Sequence, residues 1–206
     1  MGYSTDFWDE FTIDKPLDDE TYALLEGLSQ TRRMSRDIVK LGKRVYEIEN
    51  PTPEDIANWE KEFGCEGEFW VGDTEQRGDR TEDVINGNQP PATQPGLWCQ
   101  WEILEDRQTI IWDGGEKFYE YIAWIEYIID RILQPRGYTV NGEVTWQGEE
   151  STDAGIISIT NNHVEVKGRV SFYLNDKDAT RVNKLVKDYL ENSLKEILDE
   201  KIDKEV

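Results

Sequence analysis

The residue pattern most suggestive of binding chemistry is a run of basic side chains between residues 31 and 44. The run holds six basic residues and one acid, and four of the basic residues recur at every fourth position: Arg32, Arg36, Lys40 and Arg44. On a helix, positions four apart share one face, so the pattern predicts a cationic stripe able to hold a phosphate or another anion. A solvated helix face, or an internal counterweight to acidic groups, is the alternative interpretation.

Aromatic side chains concentrate in the middle of the chain, between residues 98 and 127. Core packing explains most of them, but Trp98 and Trp101 cannot share a strand face under a two-residue period. One of the two is therefore expected to line a pocket or an interface, where aromatic residues are enriched. If the protein binds a small nucleotide-like anion, the predicted binding residues are Arg32, Arg33, Arg36, Trp98, Trp101 and Asp113.

No set of residues forms a recognisable catalytic motif. Glu102 could pair with Asp113 or Glu116 in a hydrolytic dyad, but only if the fold brings these carboxylates together. His163 is the only histidine, and Cys65 and Cys99 are the only cysteines, at spacings that match no zinc motif. The sequence favours a binding protein over an enzyme, and we expect no catalytic residue, metal or cofactor.

Hydrophobic periodicity predicts an α+β fold: a mostly antiparallel sheet with a C-terminal meander, helices packed on one face, and a long C-terminal amphipathic helix. Strands are expected at 7–13, 68–71, 97–104, 109–112, 138–146, 155–160, 163–167 and 170–174. Helices are expected from residue 18, over 31–46, from residue 53, and over 116–133 and 178–204. The predicted organisation is one domain over 1–174, with a long acidic loop near 72–96, followed by a helical extension over 175–206.

The net charge limits the classes of partner. The chain carries 44 Asp and Glu against 23 Lys and Arg, a formal net charge of −21 over 206 residues. Phosphate neutralisation requires basic residues, so this balance argues against direct binding to nucleic acid or to an anionic membrane. No signal peptide or long apolar run is present. We expect a cytoplasmic protein with free thiols and no membrane association.

Several segments resemble a family of small acidic, uncharacterised proteins found in bacteriophages and bacteria. The segments are GYSTDF (2–7), TRRM (31–34), QPPATQPGLWCQW (89–101), WDGGEKFY (112–119) and NGEV (141–144), with Trp146, Gly148 and Glu149. The resemblance covers roughly residues 1–167, and the terminal helix is an addition to it. It implies a phage or prophage setting, and the host cytoplasm as location, but no mechanism.

Two functions follow as expectations. The first is an acidic binding protein that masks a basic surface of a host defence or nucleic-acid-handling protein, as an inhibitor and possibly a nucleic-acid mimic. Its carboxylates would lie mainly in residues 47–83 and 97–130, and electrostatic attraction would speed association. The alternative is the small-anion site described above, with or without catalysis. A purely solubilising role for the charge is the third interpretation.

Overall fold

A computed structural model describes residues 2–72, 81–150 and 152–168 of the chain. Over these residues the architecture is α+β, with a six-stranded antiparallel sheet, a separate two-stranded sheet and four α-helices, in agreement with the predicted fold class. The strand predicted at 170–174, the C-terminal helix and the predicted boundary between 174 and 175 lie outside the described residues and stay predictions.

Most of the strands lie where the sequence predicts them. The sequence does not predict the strands at 35–36 and 84–86, and the short strand predicted at 68–71 is wrong, because residues 68 and 69 form a turn. They are β1 (Thr5–Ile13), β2 (Ser35–Arg36), β3 (Val84–Asn86), β4 (Trp101–Ile103), β5 (Thr109–Trp112), β6 (Val140–Gly148), β7 (Ala154–Thr160) and β8 (His163–Gly168). The large sheet has the order β4-β5-β1-β6-β7-β8, and β2 pairs with β3. The predicted meander is confirmed as β6-β7-β8. Its second turn places Asn161 and Asn162 at φ values of 50° and 68°, which suits a two-residue hairpin turn.

The four helices begin at side-chain caps or at tight turns. They are α1 (Asp19–Gln30), α2 (Ile38–Tyr46), α3 (Pro53–Phe63) and α4 (Tyr121–Tyr127). The carboxylate of Asp18 accepts a hydrogen bond from the backbone N–H of Thr21 at the start of α1. Thr52 and Asp55 form a capping box before α3, with Pro53 at the first helical position. Such caps satisfy N–H groups that have no partner inside the helix.

The helix predicted over 31–46 is wrong in its first half. The carboxylate of Asp37 caps α2 by accepting from Lys40 N, so the helix starts at Ile38. Before it, the backbone N–H groups at positions 33, 35 and 37 donate to the carbonyl oxygens of residues 97, 89 and 83. This extended segment is held by distant parts of the chain, which outweigh local helical spacing. The basic residues 32 to 44 therefore do not lie on one helix.

The helix predicted over 116–133 starts later than expected. Lys117 and Glu120 have φ values of 65° and 56°, which interrupt a helix, and between them Phe118 is inserted into the core with 3% of its surface exposed. After α4 the chain continues as a π-helical turn over Ile128–Leu133 and a 3₁₀ turn over Gln134–Arg136.

The core lies on one face of the large sheet. Alternate strand residues and the apolar sides of α1 and α4 form one buried cluster that includes Phe7, Phe11, Val144, Ile157, Leu28 and Trp124. Helices α2 and α3 contribute to a second cluster around Leu41, Trp59 and Phe63. The described helices thus direct their apolar sides into these two clusters, and the described part leaves the opposite face of the large sheet without a helix. This helix-free side is called the open face below.

Gly142 in β6 is required by the close pairing with β1. Its φ is 134°, and a Cβ there would lie 2.7 Å from the carbonyl oxygen of Glu10 and 3.0 Å from the Cα of Phe11. We expect Gly142→Ala to lower the free energy of unfolding by about 2–3 kcal/mol, through backbone strain and the clash. Urea denaturation followed by circular dichroism measures the change.

The matched control is Gly168→Ala in β8, where a Cβ meets no described atom within 4 Å and no left-handed φ is needed. We expect a change below about 0.5 kcal/mol there. Equal effects of the two substitutions would contradict the assigned β1–β6 register.

Candidate functional site

Arg33, one of the predicted ligand-binding residues, is buried with 2% of its surface exposed. Its Nε donates to Gln94 Oε1 at 3.2 Å, and its Nη1 donates to Thr31 Oγ1 and to the Trp70 carbonyl oxygen, both at 2.7 Å. Its Nη2 donates to the carbonyl oxygens of Gly67 and Glu68 at 3.3 and 2.9 Å. All five N–H groups of the guanidinium are therefore used inside the protein.

A buried guanidinium of this kind orders the chain around it. Burial lowers the pKa of Arg33 to about 10, so the side chain is still protonated at pH 7. Four of its five acceptors come from residues 67–70 and from Gln94, segments separated from it by 34 to 61 positions. Because an unpaired buried charge is strongly unfavourable, these loop segments must close on Arg33.

Asp83 forms a second buried ion cluster. Its carboxylate is 1% exposed; it accepts from Arg36 Nη1 at 2.5 Å and from Arg44 Nε at 2.8 Å. Burial alone would raise the pKa of Asp83, but hydrogen bonds from Arg44, Thr81 and Arg36 outweigh burial and lower it. Arg36 and Arg44, two members of the predicted cationic stripe, therefore neutralise an internal acid.

A third buried cluster is centred on Glu68. Its carboxylate accepts from Arg131 Nη2 at 2.7 Å, from Thr93 Oγ1 at 2.8 Å and from the backbone N–H of Cys65 at 3.2 Å. Burial raises the pKa of Glu68, and these hydrogen bonds outweigh that effect, so the pKa lies below its usual range. Gln94 connects this cluster to Arg33, because its Nε2 donates to the Glu68 carbonyl oxygen at 2.8 Å.

The six predicted ligand-binding residues do not share one surface. Arg33 and Arg36 are buried, and Trp101 is buried in the core, where its Nε1 donates to the Tyr121 carbonyl oxygen. Only Arg32 and Trp98 remain together and half-buried, with the guanidinium carbon 5.7 Å from the ring centroid. Whether any of the six binds a ligand stays a prediction, but Arg33 has no N–H group left to offer.

Carboxylates occupy a row of outward positions across the open face. Glu10 of β1 lies directly opposite Glu143 of β6, Glu143 is opposite Ser158, and Ser158 is opposite Glu165 of β8. On the other side, continuation of the Phe11–Ile110 register places Glu10 beside Ile111, which faces Glu102 of β4. We call Glu102, Glu10, Glu143 and Glu165 the acidic row.

The acidic row includes an unfavourable pair. Like charges directly opposite each other on neighbouring strands destabilise a sheet, and Glu10 and Glu143 are such a pair. Over the described residues neither carboxylate has an ion-pair partner, although Ser158 Oγ donates to Glu143 at 2.9 Å. Glu165 is 3.8 Å from Lys167 Nζ at an exposed position, where an ion pair contributes little.

Glu102 and Asp113, named above as a possible dyad, do interact. Burial, and then the charge of Asp113, raise the pKa of Glu102. Burial also raises the pKa of Asp113, whose carboxylate accepts from the Gly115 N–H at 2.7 Å. Asp113 is two residues beyond Ile111, the direct partner of Glu102, so the β4–β5 register makes Glu102 and Asp113 diagonal neighbours.

The cysteines and the histidine lie apart from one another. Cys65 is exposed, Cys99 is buried with a pKa raised to about 12 by burial, and His163 is exposed in β8. Among the described residues, no three His, Cys, Asp or Glu side chains are grouped closely enough to hold a metal ion. No helix within that same part of the chain has the length and apolar character needed to cross a membrane.

Comparisons of this chain with protein-family models, with curated proteins and with solved structures found no match. The site must therefore be interpreted from its own geometry. The residues that sequence reasoning missed are Glu10, Glu143 and Glu165. The signal that could have found them is the alternation within β1, β6 and β8, which places these acids opposite the buried apolar residues.

Asp83→Asn tests the buried ion cluster. Removing this charge takes a buried carboxylate acceptor away from Arg36 and Arg44, so we expect a loss of about 3 kcal/mol in the free energy of unfolding. Because folding lowers the pKa of Asp83, its stabilisation is present above the unfolded-state pKa and is lost as pH falls towards the folded-state pKa. Urea denaturation at pH 7 and at about pH 3 should show this loss in the wild type.

The control for this experiment is Asp130→Asn, which removes a charge at an exposed position and should change stability little. If Asp83→Asn is as stable as Asp130→Asn at pH 7, the ion cluster around Asp83 does not stabilise the fold.

We expect Glu102→Gln to raise the free energy of unfolding at pH 7, whereas Asp83→Asn should lower it. Folding raises the pKa of Glu102, so the ionised carboxylate opposes folding, and the penalty appears as pH rises from the unfolded-state pKa through the folded-state pKa. We expect Glu102→Gln to be more stable than the wild type at pH 7 and nearly equal to it at about pH 4. The measurement is the urea midpoint at both pH values. Glu116→Gln, at an exposed position, is the control, and the same gain there would contradict the interpretation.

Proposed function

We propose that this protein binds a basic surface of another protein through the open face of its sheet and masks that surface. The natural targets are nucleic-acid-handling proteins, including host defence enzymes, because they present grooves rich in Lys and Arg. The bacteriophage setting comes from the sequence resemblance alone. Binding would rely on complementary charge, which accelerates encounter and selects partners of opposite sign.

The supporting observation is the unfavourable Glu10–Glu143 pair on the open face. A protein whose acids served only solubility could spread them over its surface without placing like charges opposite each other. Neutralisation of this pair by a partner's cations would relieve the repulsion, so the unfavourable arrangement in the free protein becomes favourable on binding.

The proposed face uses carboxylates other than those that the sequence analysis named. Within the ranges 47–83 and 97–130, Glu68 and Asp83 are buried in ion clusters and cannot meet a partner. Three members of the acidic row, Glu10, Glu143 and Glu165, lie outside those ranges. The proposed binding face is therefore contributed mainly by strands of the large sheet, and less by residues 47–83.

Charge density favours masking over close imitation of DNA. The acidic row spans five interstrand spacings, or about 24 Å, with four carboxylates. One strand of duplex DNA carries a phosphate every 3.4 Å along the axis, or about seven over the same length. The row therefore carries roughly half the charge of a single phosphate strand, enough to attract a basic segment but a poor copy of its spacing.

The alternative, a small anionic-ligand site, has less support. Arg33 and Arg36 direct their guanidinium groups inwards, and Trp101 is part of the core. Arg32 with Trp98 would have to act without them, next to Asn88, which already accepts from Arg32 at 3.4 Å.

The proposal is tested with a face variant that carries Glu→Gln at positions 10, 102, 143 and 165. A fluorescent lysine nonamer serves as a basic probe, and binding is followed by fluorescence anisotropy. We expect the wild type to bind and to lose affinity steeply between about 0.1 and 1 M salt, as the Debye length falls from about 10 to about 3 Å. The face variant should bind at least about tenfold more weakly at the lower salt concentration.

The control variant carries Glu→Gln at positions 26, 49, 54 and 60, which are exposed on α1, α3 and the preceding loop. It has the same net charge as the face variant, so it separates a local face from overall charge. Equal weakening in both variants would support the purely solubilising interpretation. Salt-insensitive binding, or none at all, would refute the proposed function.

A further inference from the structure

The open face also contains a groove with an exposed tryptophan. Its volume is about 560 Å³, and it extends along a cross-strand row in which Trp8, Thr145, Ile156 and Lys167 are direct neighbours. Trp8 is 50% exposed although it belongs to a central strand. An indole in this position is not needed by the core, since the buried cluster takes its aromatic residues from the other face.

The two ends of the groove differ in charge. At the Trp8 end, Asp6 and Glu10 are two positions away along β1 and share its outward side, and Asp9 is exposed at a φ of 74°. At the other end, Lys167 is three interstrand spacings from Trp8, or about 14 Å. The indole is thus surrounded by carboxylates, and the nearest cation on this row is at the far end.

We propose that the Trp8 end of the groove binds an arginine side chain of the basic partner, with the guanidinium stacked on the indole. This inference rests on the proposed function and names the group that the face recognises. The surrounding carboxylates supply the opposite charge, and the apolar floor formed by Thr145 and Ile156 accommodates the aliphatic part of the side chain.

Arginine fits this environment better than lysine for physical reasons. Its guanidinium is planar, stacks on aromatic rings and is more weakly hydrated than an ammonium group. It can also donate in parallel to a flanking carboxylate while it stays on the ring. A lysine would keep the charge attraction but lose most of the stacking. The groove should therefore convert a general attraction for cations into a preference for arginine.

The test compares an arginine nonamer with a lysine nonamer of equal charge, using the full chain. We expect the wild type to bind the arginine peptide about three to ten times more tightly. Trp8→Ala should abolish this preference by lowering the affinity for the arginine peptide to that for the lysine peptide, and the remaining binding of both peptides should stay salt-sensitive. Trp8→Phe should keep part of the preference, because phenylalanine is a weaker cation–π partner. Tyr46→Ala, which removes a similarly exposed ring from α2, is the control.

Other results would separate failure of this inference from failure of the proposed function. An unchanged arginine preference in Trp8→Ala, or its equal loss in Tyr46→Ala, would overturn the inference while the proposed function stands. Failure of the wild type to bind either peptide would refute the proposed function itself. A wild-type dimer that becomes monomeric in Trp8→Ala, measured by sedimentation, would assign the groove to a second copy of this chain and also overturn the inference. Circular dichroism checks that each variant is folded.

Discussion

The buried guanidinium of Arg33 is the interaction on which the arrangement of the loops depends. A charge with 2% exposure must have every donor satisfied, and four of its five acceptors lie in segments around residues 67–70 and 94. Those segments in turn position Glu68 and its partner Arg131. Backbone carbonyls accept three of the five hydrogen bonds, so the network fixes the path of the backbone as well as the side chains. A fully satisfied buried polar network of this kind favours one structure over its competitors.

This interior also shapes the surface charge. Among the described residues, Arg33, Arg36 and part of Arg44 are taken into buried clusters, together with two acids, Glu68 and Asp83. These cations are therefore not available to balance the acidic side chains at the surface. The formal net charge of the chain is −21. Within the basic stretch at 31–44, Arg36 and Arg44 therefore balance a buried acid, Asp83, which agrees for these two residues with the interpretation of an internal counterweight. The acids that remain outside have few local partners.

The one-sided packing of the sheet decides where those acids can act. Because α1 and α4 cover one face, alternation sends Glu10, Glu143 and Trp8 to the other. A sheet face without a helix normally carries a mixture of polar residues and tolerates solvent. Here it combines opposed carboxylates with an exposed indole and a groove, features that are unfavourable or unnecessary for a free protein and useful for recognition of a cation-bearing partner.

The sequence by itself determined the local elements: the alternation in β1, β5 and the meander, the caps at Asp18 and Thr52, and the Asn161–Asn162 turn, since each depends on residues within a few positions. It also determined the acid excess and the absence of a recognisable catalytic motif. The tertiary structure alone decided where α2 starts and that Arg33 and Arg36 are buried. Contacts with residues 34 to 61 positions away outweighed the helical tendency that the four-residue spacing of basic residues indicated. It likewise decided that Glu10 meets Glu143, since strand register is a long-range property.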